Sequence, residues 1–190
     1  MASKIFKIKG RCTYAMVYKP DEYKNTEFWK INLFPLDDDE WAKFKKSKMQ
    51  LKVRHDDGTK STVEGDYISF RRNTEKMFGQ GKKKKLKTFS PPMIVDKDDE
   101  PLVWYEEDED GDFERQGEVV LIGNGSVVEC KVEVFDAGDF GKGHRLEAVK
   151  IIDLIEYIPP EKDDEEEDEP EPKKAEKKEE KKPAKKAVKW

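Results

Sequence analysis

The stretch at residues 118–157 constrains this chain most. From Val128 onward, Val128, Cys130, Val132 and Val134 fall on one side, and Glu129, Lys131 and Glu133 on the other. A period of two defines a strand with one buried and one wet face. Before it stand the apolar run 118–122 and the loop Gly123-Asn124-Gly125-Ser126. The loop supplies the positive-φ residues of a tight reversal, so 118–122 and 127–135 read as a hairpin. A further apolar run, 146–157, fits either period; its length and β-branched content favour a strand. Everything earlier in the chain has to pack on this β-structure.

Composition bounds the rest. In 190 residues, 43% are charged and 35% hydrophobic. The core is therefore small, and one domain plus an appendage is expected. No apolar run is long enough to span a membrane. The first residues read as charged and alternating rather than as a signal peptide. Cys12 and Cys130 stand far apart with no CxxC context, and are expected to be reduced, buried thiols. Together these features suggest a soluble cytoplasmic protein. The net charge is -5. It is segregated, however, with a lysine run at 82–87 and acidic stretches at 96–114 and 161–171. A local basic groove can bind phosphates within an acidic whole.

In chain order, Phe6, Ile8, Gly10, Cys12, Tyr14, Met16 and Tyr18 share one face of a first strand that Pro20 should end. In the second strand, 27–34, Trp29, Ile31 and Leu33 enter the core. Phe28, Lys30, Asn32 and Phe34 share the other face. That grouping is either a stacking platform or the cover of a second small cluster. Residues 37–48 form a helix, with acids in its first turn and lysines in its last. Leu51 and Val53 begin a third strand, Asp57-Gly58 marks a hairpin, and 66–72 is the next strand. There Tyr67 and Arg71 face away from Ile68 and Phe70. Residues 73–92 read as a mobile basic loop with Phe78 and Phe89 near its ends, or else a solvated linker. Residues 93–95 form a short strand and 96–116 an exposed acidic loop. Its carboxylates lack the spacing of a calcium loop.

The domain ends at Pro159-Pro160, giving residues 1–160 and a tail at 161–190. The tail is nearly devoid of apolar residues and should be disordered. Its first block, 161–171, holds nine acids and one lysine; the second, 172–190, holds nine lysines and three glutamates. The last residue is a lone Trp190.

Catalytic constellations are poor, and no enzymatic activity is expected. His55 and His144 lie outside any HExxH, CxxC or nucleophile motif and read as surface residues. Gly79-Gln80-Gly81-Lys82 is not a phosphate loop, because no helix follows it. No cofactor or metal is implied. The expected fold is mainly β: a five-stranded OB-type barrel with one short helix, extra hairpins and the disordered tail. Such a barrel binds unpaired strands in a basic groove with rings for the bases. The candidate phosphate contacts are Lys30, Arg71, Arg72, Lys82, Lys83 and Lys84, with the lysine run continuing to Lys87. The candidate base contacts are Phe28, Tyr67, Phe78 and Phe140.

Four patches also resemble a family. They are the opening Met1-Ala2-Ser3-Lys4-Ile5-Phe6, the segment Tyr14 to Asp21, the strand Trp29-Lys30-Ile31-Asn32-Leu33, and Ile122-Gly123-Asn124-Gly125-Ser126 with its following strand. In this order they are similar to the single-stranded DNA-binding proteins of tailed bacteriophages, over roughly residues 1–160. The resemblance implies an OB fold, sequence-tolerant binding of single-stranded DNA, and a role in phage replication and recombination in the host cytoplasm. It also implies a homodimer in many members. Aromatics in the loop after the glycine-turn strand contact DNA in that family, which points to Phe140 first and Phe135 second. An acidic tail ending in an aromatic competes for the groove and docks replication proteins; residues 161–171 and Trp190 match those two ingredients. The lysine block between them departs from the pattern. The alternative reading is an acidic chaperone or scaffold that holds basic partners. Preference between DNA and RNA stays open.

Overall fold

The computed structural model describes residues 3–78, 85–109, 111–138 and 141–158. The chain divides into Met1–Ile158 and Pro159–Trp190. The expectations for the tail, Lys82, Lys83, Lys84 and Phe140 lie outside the described residues, as does the side chain of Phe78. No described helix is long and apolar enough to cross a membrane.

Eleven strands and one helix follow in order: β1 (Lys4–Tyr23), β2 (Thr26–Pro35), α1 (Asp38–Ser47), β3 (Arg54–Asp57), β4 (Glu64–Asn73), β5 (Glu75–Phe78), β6 (Lys85–Thr88), β7 (Met93–Val95), β8 (Pro101–Glu107), β9 (Phe113–Gly117), β10 (Val127–Asp136) and β11 (Lys142–Asp153). One sheet runs β3-β4-β2-β1-β10-β11-β7-β8-β9, and β5-β6 forms a separate ribbon. β11 comes back against β4, where the Arg72 side chain donates to the Leu146 carbonyl at 3.2 Å. The strands β1, β2, β4, β11 and β10 thereby close a five-stranded barrel. Among the described residues no ladder joins β4 to β11, and the free edges of these two strands are taken by β3 and β7. This is the OB arrangement the sequence led us to expect.

The barrel is filled by the inward residues of all five strands. Ile8, Cys12, Ile31, Leu33, Ile68, Phe70, Val128, Cys130, Val132, Leu146 and Val149 are wholly buried. The strong alternation of β10 is thus the core face of a barrel strand, and the ambiguous run 146–157 is strand as far as Asp153, where β11 ends. Both cysteines are free and buried. Burial pushes the Cys12 thiol up to about 12, which leaves it protonated and inert. Gly10 is required where β1 passes β2. A Cβ there would sit 2.4 Å from the Phe34 carbonyl oxygen.

α1 begins where its composition says it should. The Asp37 carboxylate accepts the Glu40 N–H at 2.9 Å as an N-cap. Glu40 is buried and its carboxylate accepts the Lys9 backbone N–H at 2.9 Å, which pins the helix to β1.

Several local expectations are corrected. β1 does not keep one face to Tyr18, nor does it end at Pro20. Its register with β2 shifts between Thr13 and Met16, where Tyr14 has φ 48°. Thr13 and Val17 become buried, and Tyr14 and Met16 turn to solvent. A bulge inserts a residue and so exchanges the faces beyond it. The cause is residues 123–126, which are not a simple hairpin turn. The Asn124 side-chain oxygen accepts the Tyr14 N–H at 2.9 Å. Gly125 N–H donates to the Cys12 carbonyl, and Cys12 N–H to the Ser126 carbonyl, each at 2.8 Å. That segment is bonded to β1 and, through the Ser126 hydroxyl, to Ile155, and 118–121 is not a strand. The hairpin that β10 does make is with β11. The presumed basic loop starts and ends as the ribbon β5-β6. The presumed acidic loop is mostly the hairpin β8-β9, anchored by the fully buried Val103. The third strand starts at Arg54, not Leu51.

Candidate nucleic-acid interface

The outer surface of the β2–β4 pair carries four of the residues singled out from sequence: Phe28, Lys30, Tyr67 and Arg71. Antiparallel register sets Lys30 opposite Arg71 and Asn32 opposite Ser69 on this face. Phe34 and Tyr67 follow side by side, with ring centroids 5.2 Å apart. The result is a stripe with rings at both ends and cations and amides between. Arg54, opposite Tyr67 on β3, extends it at one end.

Phe28 lies on this stripe but is not an open platform. It is only 5% exposed. The Arg71 guanidinium covers its ring, 4.8 Å from the centroid, and the Lys30 ammonium lies 6.0 Å away. A ring face attracts cations, so Phe28 serves as the cushion on which these two charges rest. Lys30 is also held by an ion pair with Asp21. That hydrogen bond keeps the Asp21 carboxyl below the usual carboxylate range.

Arg71 and Arg72 do not act as a pair, because neighbouring residues of a strand point to opposite faces. Arg71 is exposed, and no carboxylate among the described residues forms an ion pair with it. Arg72 is 7% exposed. Its guanidinium donates to Leu146 O, to Glu147 Oε2 at 2.9 Å and to Ser90 Oγ at 3.0 Å. It joins β4 to β11 and to the segment after β6. The expectation that Arg72 meets phosphate falls on a buried guanidinium whose Nη1 and Nη2 donate within the barrel, while Nε has no partner.

Where β4 meets β10 and β11, a hollow of about 510 Å³ opens. Its cations are Arg71, Arg72, Lys76 and Arg145; its rings are Phe89, Phe135 and His144. Arg145 is set by Glu133 at 2.6 Å and by Glu147. Cationic groups of Arg72, Lys87 and Arg145 lie around the Phe89 ring, at 6.0, 5.8 and 5.6 Å. A second hollow of about 230 Å³ lies towards β3, lined by Lys52, Arg54 and Ser69 among others. Arg71 and His144 line both hollows, so the two lie side by side with these residues between them.

His144 is not the surface residue its sequence position suggested. Its Nε2 lies 3.2 Å from the Arg71 N–H and accepts from it. Burial, helped by the Arg71 charge, lowers its pKa to about 4. The ring is therefore neutral at pH 7. Its unfolded value is near 6.5, so between pH 6.5 and 4 the unfolded chain binds the extra proton. Stability should fall as pH drops through that window, by up to about 1.4 kcal/mol per pH unit. Urea unfolding at pH 6.5 and 4.5 measures it; in His144→Gln the same pH change should cost less. If the variant loses as much as the native chain, His144 is not the group responsible.

Sequence reasoning missed Lys52, Arg54, Lys76 and Arg145 as neighbours of the stripe. Only their outward position on a strand, or beside one, marked them. Phe89 was seen only as flanking the basic loop, and Phe135 only through the family resemblance. Among the described residues, no cluster of three His, Cys, Asp or Glu side chains could hold a metal ion.

A closed five-stranded barrel with rings and cations along one outer face defines the chain as an OB-fold protein. Its fold is similar to that of gp2.5, a single-stranded DNA-binding protein encoded by bacteriophage T7. The TM-score is 0.50 and the identity 19%, over 88% of this chain and 98% of that one. A single-stranded DNA-binding protein from bacteriophage Enc34, truncated at its C-terminus, aligns with a TM-score of 0.45 and 18% identity, over 81% of this chain and 88% of that one. No family model and no curated protein sequence matches the chain.

Proposed function

We propose that the chain binds single-stranded DNA without regard to sequence, in phage DNA replication and recombination. The observation that carries this reading is the pair of adjacent hollows beside the outer β2–β4 face, with Arg71 and His144 lining both. The hollows offer Arg71, Arg54 and Lys52 to phosphates and Phe89 and Phe135 to bases, and Tyr67 stands on the same outer face opposite Arg54. Stacking tolerates any base, because each has a π-face. The likeness in fold to gp2.5, which is a single-stranded DNA-binding protein, supports the same reading.

Titration of the full chain with labelled single-stranded DNA, RNA and duplex DNA tests it. Single-stranded DNA should bind in preference to duplex, and its affinity should fall with salt at a log–log slope of about -0.7 per phosphate neutralised. Equal binding of duplex, or no salt dependence, would sink the proposal. Capture of basic proteins without DNA binding would favour the acidic-scaffold alternative.

The tail has a proposed role resting on its sequence alone. The acidic block at 161–171 competes with DNA for the basic surface, and Trp190 docks replication proteins. Removing residues 161–190 should tighten single-strand binding, most at low salt, where charge competition is least screened. Unchanged binding by the truncated chain would count against the competition, and weaker binding would mean that the lysine block holds DNA instead.

A further inference from the structure

The larger hollow has a composition more specific than a phosphate-tracking groove requires. At about 510 Å³ it falls within the usual range for small-molecule sites, about 300–1,000 Å³. Flat apolar walls and fixed cations stand together in it. Phe135 lies directly over Gly143, its partner across β10 and β11. A Cβ on Gly143 would come within 2.5 Å of the Phe135 ring, so the absent side chain is what lets the ring lie there. The Arg145 guanidinium is oriented beforehand by Glu133 and Glu147. Arg72, which is buried, leaves its Nε without a hydrogen-bond partner. A buried donor without a partner is rare and calls for an explanation. Four cations line the hollow, and the carboxylates paired with Arg72 and Arg145 are two among the described residues, Glu133 on Arg145 and Glu147 on Arg72 and Arg145, so the balance is positive. The site therefore suits a ligand with both a flat ring and negative charge.

We propose that this hollow is a receptor for one nucleotide of the bound strand. The base leaves the stack and rests against Phe89 and Phe135, and its phosphate is held by Arg71 and Lys76. The inference rests on the single-strand reading and deepens it: one nucleotide per protein is bound differently from its neighbours.

The test uses the full chain and three probes: an oligothymidylate, dTMP and thymidine. dTMP should bind saturably and shift the NMR signals of the Phe89 and Phe135 rings. Thymidine, lacking the phosphate, should bind at least several-fold more weakly. Gly143→Ala, which displaces the Phe135 ring but adds no charge change, and Phe135→Leu should each abolish the dTMP shifts. Each should weaken oligothymidylate binding about tenfold, in the range for loss of one stacked base. Urea unfolding of both variants confirms that they are folded, and two variants guard against one failing. If the oligonucleotide binds, yet dTMP leaves the two rings unmoved or both variants retain full affinity, the receptor does not exist. If the oligonucleotide does not bind at all, the single-strand reading fails. Saturable dTMP binding lost in the variants would then still establish a nucleotide site here.

Discussion

Arg72→Met should destabilise the folded chain by about 3 kcal/mol. Breaking a buried ion pair by removing one partner costs roughly 3–5 kcal/mol. Arg145 remains on Glu147 and softens the loss, which places the effect at the lower end. The methionine fills much of the same space, so the deficit reports lost hydrogen bonds to Leu146 O, Glu147 and Ser90 rather than a void. Equilibrium unfolding in urea measures it. A companion variant, Glu147→Gln, keeps a hydrogen-bond acceptor for Arg72 and should cost less. If Arg72→Met unfolds like the native chain but binds single-stranded DNA many-fold more weakly, Arg72 is a phosphate contact after all. The barrel closure would then rest on other groups.

The second large effect is on binding. The double variant Tyr67→Ala with Arg71→Ala should weaken single-strand affinity by about 30- to 100-fold. Loss of one stacked base accounts for about 1–3 kcal/mol, and removal of one phosphate contact should reduce the salt slope by about 0.7. The two side chains lie on the same outer face of β4, four residues apart. Neither is part of the core, so stability should change little. Removing Arg71 also uncovers the Phe28 ring. A single Arg71→Ala variant could thus lose a charge and gain an open ring, which is why the double variant is the cleaner measurement. Affinity titrations at two salt concentrations decide the matter. An unchanged slope would mean that Arg71 does not touch the strand.

How much of this could be read from residues alone differs from element to element. α1 was legible because local chemistry fixes it: Asp37 caps, acids lead and lysines trail. The β10 alternation was legible because both faces of a barrel strand have opposite solvents. The fold class followed from those signals and from the family resemblance. The exchange of faces at Tyr14 was not legible, since it depends on Asn124, 110 residues away. Nor were the β5-β6 and β8-β9 hairpins, whose charged residues read locally as loop. In the site, the outward placement of Lys30, Tyr67 and Arg71 followed from period two. The same rule puts Arg72 beside Ile68 and Phe70 on the inner face, so treating adjacent arginines as one cationic unit overrode a signal already present. The covering of Phe28 needed the cross-strand register with β4, which no single strand reveals.

The register of β1 carries a consequence for how the protein is made. Gly10 pairs with Val128, so the first strand finds its partner on that side only after nearly 120 further residues exist. At about 5–20 residues per second on the ribosome, the nascent strand waits on the order of 6–24 s with that edge bare. Lys7, Lys9 and Arg11 occupy its outer face throughout that interval. Charged side chains on an unpaired edge discourage pairing between chains. The outward lysines of β1 therefore protect the growing polypeptide from its copies on neighbouring ribosomes, before the barrel that hides the edge can close.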